Sequence, residues 1–336
     1  MLSQDLSEIQ RAGQRLMVGF DGLTMNDTLR HYIDRLKVGG LILFARNIAA
    51  PDQIRELCAA AQAFARDCGQ PPLFIAIDQE GGVVSRLKPP FTQFAGNPHM
   101  RSVDDAVDFA LTTARELGRI GVNMNMAPVL DVLPPKGASV MEDRSFGRDP
   151  DHVSRMGVAV IRHLQDQNIM AVAKHFPGIG RTVLDSHKDL PDLDTDARSL
   201  AAIDRVPFQA AVDCGVAGIM LSHIRYQALD PEWPASLSPP IAEGILRRQM
   251  AYNGLVLTDD LDMGAIVKHH PLPTIVRQCL DASVDILLIC HAGPKIPEAL
   301  DHLLALRNND PELLRKEEES LQRILHLKQL YLSYRR

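Results

Sequence analysis

Eight apolar runs that do not alternate with polar residues are what most constrains the fold of this 336-residue chain. They fall at Arg15–Phe20, Gly39–Phe44, Leu73–Ile77, Val122–Pro128, Ile169–Ala173, Ala217–Leu221, Gly254–Leu257 and Asp285–Ile289, between clusters of Gly, Pro and Asp. A strand with one face in water alternates apolar and polar residues, whereas a parallel strand covered on both faces reads as a continuous apolar run. Helical stretches separate the runs: Pro51–Asp67, Ser102–Ile120, Pro150–Gln167, Ser199–Cys214, Pro240–Tyr252 and Thr274–Ala282. Pro51-Asp52 and Pro150-Asp151 suit a first helical turn, and Cys214-Gly215 and Asn253-Gly254 supply stop residues. The pattern predicts an α/β fold, a TIM-like (β/α)8 barrel built as one domain over residues 1–336. The tail 311–336 repeats Leu at helical spacing among alternating basic and acidic residues, which predicts a closing helix on the barrel exterior.

Polar residues gather where these runs end: Arg46-Asn47, Asp78-Gln79-Glu80, Asp131, Lys174-His175, Ser222-His223, Thr258-Asp259-Asp260 and His291. In a barrel the C-terminal strand ends form the catalytic face, while an open doubly wound sheet gathers its site at one switch point. Nearly every strand contributes here, so the barrel is favoured. The densest stretch is Lys174-His175-Phe176-Pro177-Gly178 followed by Asp185-Ser186-His187: a strand that ends in an ammonium and an imidazole and then opens into a Gly/Pro loop carrying an Asp-x-His pair. Burying a Lys-His pair for packing alone costs several kcal/mol unless the charges are paired, so an active-site edge is the better reading.

Composition removes other classes. A net charge of −6 argues against nucleic acid as a partner. The five cysteines are scattered with no CxxC pair, which disfavours a disulfide framework or zinc knuckle and suits a reducing compartment. No apolar run reaches the ~18 residues of a membrane span, and the N-terminus shows neither the basic nor the apolar region of a secretory signal. A cytoplasmic, monomeric protein with no membrane partner is expected.

Five blocks, in order, resemble bacterial β-N-acetylglucosaminidases of glycoside hydrolase family 3. They are Ile77-Asp78-Gln79-Glu80-Gly81-Gly82 with Arg86-Leu87, Ala127-Pro128-Val129-Leu130-Asp131, Arg144-Ser145-Phe146-Gly147 with Asp149-Pro150, the Lys174–His187 stretch with Leu190-Pro191, and Gly254–Leu261 with Met263. The chain departs from that pattern at Ile179, where His is usual, at Arg181, where Asp is frequent, and at Val83, where Arg is common.

The resemblance implies a retaining exo-acting hydrolase that removes terminal N-acetylglucosamine through a covalent intermediate on Asp259. It also implies sugar binding by Asp78, Arg86, Arg144, Lys174 and His175. Retaining cleavage needs a carboxylate nucleophile and a proton donor near the leaving oxygen. Residues Leu255–Thr258 form a strand that presents Asp259 at the barrel mouth. Asp260 points elsewhere if the strand continues, and a helix N-cap is the better expectation for it. After the eighth strand too little chain remains for the second domain that supplies the acid/base in many relatives, so the donor is expected within the barrel. His187 fits, with Asp185 able to fix its tautomer and favour its protonated form. Supporting roles are expected for Glu80, Asp131 and His223. With Trp233 as the only tryptophan, a pocket for single terminal sugars suits the chain better than a long stacking groove.

Single-domain members of the family act in cell-wall recycling on 1,6-anhydromuramyl-peptide fragments, and the resemblance extends that expectation here, with chitin oligosaccharides as the other substrate class. No cofactor and no metal are expected. Three readings compete. A metal-dependent barrel hydrolase would use His175, Asp185, His187, His223, Asp259 and His291 as ligand types, but the first strand lacks the usual H-x-H. A non-catalytic sugar-binding barrel would not require Asp259 and the Asp185/His187 pair together. Within the same fold lie a β-glucosidase and a phosphorylase, because a His donor does not repel an anionic acceptor.

Overall fold

The computed structural model describes residues 3–186, 188–307 and 310–332. Eight parallel strands form a ring: β1 (Leu16–Val18), β2 (Gly40–Leu43), β3 (Phe74–Ile77), β4 (Met124–Asn125), β5 (Met170–Phe176), β6 (Gly218–Leu221), β7 (Leu255–Thr258) and β8 (Leu287–Ile289). Neighbours follow chain order from β1 to β7, β8 pairs with β1 through Leu16↔Leu287, and a parallel bridge Leu257↔Ile286 joins the last two strands. The barrel is therefore closed, and each expected apolar run holds one of its strands.

The lack of alternation in sequence now has a structural cause. Met17, Ile42, Phe74, Ala76, Met170, Val172, Leu255, Leu257 and Leu288 pack together inside the barrel. Their chain neighbours Leu16, Leu41, Ile75, Ala171, Val256 and Ile289 pack outward against the helices. The two-residue alternation is present, but both faces are apolar.

The helical layer contains α1 (Glu8–Gly13), α2 (Asp27–Asp34), α3 (Pro51–Asp67), α4 (Val103–Arg119), α5 (Pro150–Asp166), α6 (Val206–Asp213), α7 (Pro240–Gln249), α8 (Leu272–Asp281), α9 (Lys295–Leu306) and α10 (Pro311–Leu332). Ser102 caps α4 by accepting from Asp105 N, and Asp149 caps α5 ahead of Pro150. Three local expectations change. The stretch Ser199–Cys214 is not one helix: a widened turn at Leu200–Asp204 precedes α6, whose Pro207 brings no N–H to continue the ladder. Helices α1, α2 and α9 have no counterpart in the sequence reading; Asn26 caps α2 by accepting from Leu29 N at 2.9 Å. The tail helix α10 does not lie on the exterior. Its Ile324 and Leu327 join the interior cluster, so it closes the N-terminal end of the barrel.

Candidate active site

Strand parity builds the site. Phe74 and Ala76, Met170 and Val172, and Leu255 and Leu257 all point into the barrel. Two residues further along each strand stand Asp78, Lys174 and Asp259, one layer above the apolar interior and at its open end. The same step from Ile42 and Leu288 delivers Phe44 and Cys290. These side chains, with Arg86, Arg144, His175, Asp260 and His291, line a cavity of about 320 Å³. Strand β5 runs three residues beyond the expected Ala173, so Lys174 and His175, expected at its end, are part of the buried strand itself.

Lys174 sits between two carboxylates, 2.7 Å from both Asp78 Oδ1 and Glu80 Oε1. Arg144 donates to Glu80 through Nε at 3.0 Å and Nη2 at 2.7 Å. Arg86 Nη2 donates to Asp78 Oδ2 at 3.2 Å. Burial alone would raise both carboxyl pKa values, but the cations outweigh it: Lys174 and Arg86 hold Asp78 down at about 2, and Lys174 and Arg144 hold Glu80 below its ordinary value. Burial likewise opposes the Lys174 charge, and Asp78 and Glu80 overcome it, so the ammonium pKa is raised. Asp78, Glu80 and Lys174 are thereby held charged.

The segment Gln79–Ser85 positions Arg86. It is a hairpin of Gln79–Gly81 against Val84–Ser85, and Gln79 Oε1 accepts from Arg86 N at 2.9 Å and Leu87 N at 3.1 Å. Asp131 positions His175: its Oδ2 lies 2.8 Å from Nδ1, while Oδ1 accepts from Ile179 N at 2.8 Å. With Nδ1 directed at that carboxylate, Nε2 faces the cavity and lies 3.5 Å from Arg144 Nη2.

The two aspartates after β7 differ. Asp259 faces the cavity, and its Oδ1 accepts the Asp260 N–H at 2.8 Å. Burial raises its pKa, but the imidazoles of His175 and His223 and the Lys174 ammonium outweigh that and lower it. Asp260 Oδ1 accepts from Asp262 N and Cys290 N, both at 3.0 Å, and burial raises its pKa. Asp260 therefore caps no helix; it ties the β7 loop to the end of β8. His223 fixes the same loop, with Nε2 2.9 Å from Asp260 O and Nδ1 2.7 Å from Ser236 Oγ.

An ionised carboxylate in a closed pocket of cations and hydrogen-bond donors is equipped to receive an electrophilic carbon of a hydroxylated ligand. A model of the glycosyl hydrolase family 3 N-terminal domain matches residues 7–327. The chain belongs to glycosyl hydrolase family 3. It is a glycoside hydrolase by that membership. Relatives named beta-hexosaminidase occur in Alkalilimnicola ehrlichii, 37% identical over 86% of this chain and 84% of that protein, and in Pseudomonas aeruginosa, 34% identical over 90% of each. A family 3 β-N-acetylglucosaminidase from a Paenibacillus species superposes with a TM-score of 0.93 at 36% identity, covering 97% of this chain; the chain spans 63% of that larger protein. A β-N-acetylhexosaminidase from Beutenbergia cavernae superposes at 0.88 with 30% identity, over 96% of this chain and 99% of that one.

Seven of the expected site residues can be placed. Asp78, Arg86, Arg144, Lys174, His175 and Asp259 meet around one cavity. Asp185 lines a neighbouring cavity of about 350 Å³ that shares Arg144, His175 and Asp259. The eighth, His187, lies outside the described residues. The loop carrying Asp185 follows a tight path: Gly178 has φ +125°, and a Cβ on Gly180 would lie 1.9 Å from Val132 O. Its departure residue Arg181 donates to Asp204 at 2.9 and 3.1 Å, and burial lifts the Asp204 carboxyl to about 6 against that cation. Ser186 O accepts from Ala265 N at 3.1 Å, so the loop is tied to the segment after Asp259.

The metal-ligand convergence considered from sequence does not form among the described residues. Among the described residues, the side chains close enough to share an ion are Asp260, Asp262 and His291. Lys295 already donates to Asp262, and backbone N–H groups occupy Asp260. Sequence reasoning missed Phe44 and Cys290, although strand parity would have found them; Glu80, expected in a supporting role, contacts Lys174 and Arg144.

Proposed function

We propose that this chain is a retaining exo-β-N-acetylglucosaminidase that acts on 1,6-anhydromuramyl-peptide fragments in cell-wall recycling. The observation that carries the reading is Asp259: a half-buried carboxylate held ionised at the end of β7, facing a cavity ringed by Lys174, His175, Arg144 and Arg86. In the first step an Asp259 oxygen attacks the anomeric carbon and the glycosidic bond breaks, while His187, oriented by Asp185, gives its proton to the leaving oxygen. In the second step the neutral imidazole takes a proton from water, which attacks the same carbon and releases the sugar from Asp259. Asp78 accepts from sugar hydroxyls, and Arg86, Arg144, Lys174 and His175 donate to hydroxyls and the N-acetyl carbonyl. The modest cavity suits one terminal sugar, and the barrel works as a single catalytic unit, in the cytoplasm, as a monomer and without a cofactor.

The deciding experiment is hydrolysis of an aryl β-N-acetylglucosaminide beside the matching β-glucoside, with and without phosphate. Hydrogen-bonding groups left unpaired by a missing N-acetyl group cost up to ~10⁴-fold, so the glucoside is expected to be much the poorer substrate. Comparable kcat/KM values would move the chain to the β-glucosidases, and a sugar phosphate product would make it a phosphorylase. For the donor, Asp185→Ala and His187→Ala are expected to slow poor leaving groups most. Equal losses on a natural disaccharide and a dinitrophenyl glycoside would place the proton donor elsewhere.

A further inference from the structure

The loop that carries Asp185 is held by its two ends and not by packing of its middle. Val183 is 72% exposed and Leu184 43%, so neither side chain fixes the path that leads to Asp185. On the far side Ser186 O accepts from Ala265 N at 3.1 Å. On the near side stands a stem, residues 178–182. Tyr226 Oη donates to Gly178 O at 3.0 Å, Asp131 Oδ1 accepts from Ile179 N at 2.8 Å, and Val140 N donates to Thr182 O at 3.0 Å. Only Val183, Leu184 and Asp185 lie between Thr182 and Ser186, so Asp185 goes where those two anchors put it.

The stem has one further tie, between two charged side chains. Arg181 Nε donates to both oxygens of Asp204, at 2.9 and 3.1 Å, and Asp204 is fully buried. Hydrogen bonds between ionised partners are about twice as strong as neutral ones. This tie is also particular to the chain: an Asp at position 181 would meet the Asp204 carboxylate with the same charge. Asp204 ends the widened turn at Leu200–Asp204, and Gly178 passes so close that a Cβ there would lie 2.9 Å from Asp204 Cβ. Single widened turns of this kind recur at functional sites, and here the widening delivers a carboxylate to the stem.

We infer, on the proposed acid/base role of Asp185 and His187, that Arg181, paired with Asp204, is a positioning residue for the proton-transfer step. Arg181 lines neither the sugar cavity nor the one beside it. It acts through the stem, from which Asp185 enters the cavity it shares with Asp259. Misplacing a reacting group by about 1 Å can cost ~10²-fold, so a loosened stem slows proton transfer while the sugar contacts stay in place.

The test compares kcat/KM on N,N′-diacetylchitobiose, whose leaving group needs a proton, with kcat/KM on a dinitrophenyl β-N-acetylglucosaminide, whose leaving group does not. Arg181→Met is expected to lose ~10-fold or more on the disaccharide and under ~3-fold on the activated substrate, with the inhibition constant of free N-acetylglucosamine unchanged. Arg181→Lys keeps a cation beside Asp204 and should recover most of the loss. Burial already lifts the Asp204 carboxyl to about 6, so a proton can replace the missing cation and Arg181→Met is expected to fold. Asp204→Asn carries the same test should it not. His187→Ala, measured beside these variants, separates the two levels. A split between the substrates in His187→Ala that Arg181→Met and Asp204→Asn lack overturns the positioning role and leaves the donor assignment standing. Equal losses on both substrates in Arg181→Met, or a loss that Arg181→Lys does not recover, do the same. No split in His187→Ala overturns the donor assignment and the positioning role with it.

Discussion

Two lysines, each 2% exposed, sit at opposite ends of the same barrel, and their surroundings are opposite. At the open end Lys174 contacts Asp78 and Glu80 and its pKa is raised. At the end closed by α10, Lys328 Nζ donates to Gln14 Oε1 at 2.6 Å and Gly39 O at 2.8 Å, and it lies 4.7 Å from the Phe74 ring centre. Burial drives its pKa well below the ordinary value, and no carboxylate among the described residues acts against it. Two acceptors match the two N–H groups of a neutral amine. Burial by itself therefore does not keep a charge; the barrel keeps charge where carboxylates are arranged around it, and that arrangement is at the end with the cavity.

Asp259 and Asp285 should separate the two ends most sharply. Asp259→Ala removes the proposed nucleophile and is expected to lose at least ~10³-fold in kcat, with the cooperative unfolding transition retained. Asp260→Asn should lose less, because Asp260 bonds backbone and not the ligand cavity floor. Asp285, at the closed end, accepts from Arg247 Nη2, Arg323 Nε and Val256 N. Asp285→Ala should show the reverse profile, with stability lost and turnover per folded molecule preserved. Labelling of Asp260 by a 2-fluoro sugar, or an Asp285→Ala enzyme that is stable but inactive, would break the contrast.

The lysines themselves come next. Lys174→Met leaves the buried Glu80 and the half-buried Asp78 without their shared cation, a change of the kind that costs ~3–5 kcal/mol, and Glu80 retains only Arg144. Urea unfolding at neutral pH measures it. A cost below ~1 kcal/mol would mean that Asp78 and Glu80 are satisfied without the ammonium.

How far this was legible in the sequence follows from what periodicity encodes. Asp78, Lys174 and Asp259 each follow an apolar run at even spacing from residues inside the barrel, so strand parity alone brings them to one layer. Contacts between loops carry no such periodicity. Glu80 reaches Arg144 across 64 residues, and Arg181 reaches Asp204 across 23, after a widened turn that no helical pattern announces. Asp260 read as a helix cap because an Asp after a strand often is one; here the next turn folds onto β8 instead. The tail helix read as exterior because its surface is charged, yet Ile324, Leu327 and Lys328 are enough to turn one face into the barrel end.

Acid titration offers a smaller test of the open end. Asp78 falls from the model-peptide value near 3.8 to about 2 in the folded protein. A depressed carboxyl pKa contributes stability that is fully present above pH ~4 and is lost as pH falls through the folded value, here worth about 2 kcal/mol. Unfolding free energies for the parent and Asp78→Asn should therefore converge between pH ~4 and pH ~2. Parallel curves over that range would mean that the cations around Asp78 do not favour its charged form.

The smallest effect belongs to the closed end and has the opposite sign to Lys174→Met. Lys328→Met keeps much of the side-chain volume against Phe74, Ile324 and Leu327 and removes a group that burial holds away from its charged form. The lowered folded pKa means that the unfolded chain binds a proton the folded chain resists. This penalty is absent above the unfolded pKa near ~10.5 and grows as pH falls toward the folded value, by about 1.4 kcal/mol per pH unit. The lost hydrogen bonds to Gln14 and Gly39, each worth ~1 kcal/mol, act against the gain, and a net stabilisation is expected at pH 7. The difference between variant and parent should then shrink, or change sign, at pH 10, where only the lost bonds remain. Chemical denaturation of both proteins at the two pH values measures it. A Lys328→Met protein that is less stable by the same amount at both would mean that the closed end also keeps its ammonium charged, and the two ends of the barrel would no longer differ in kind.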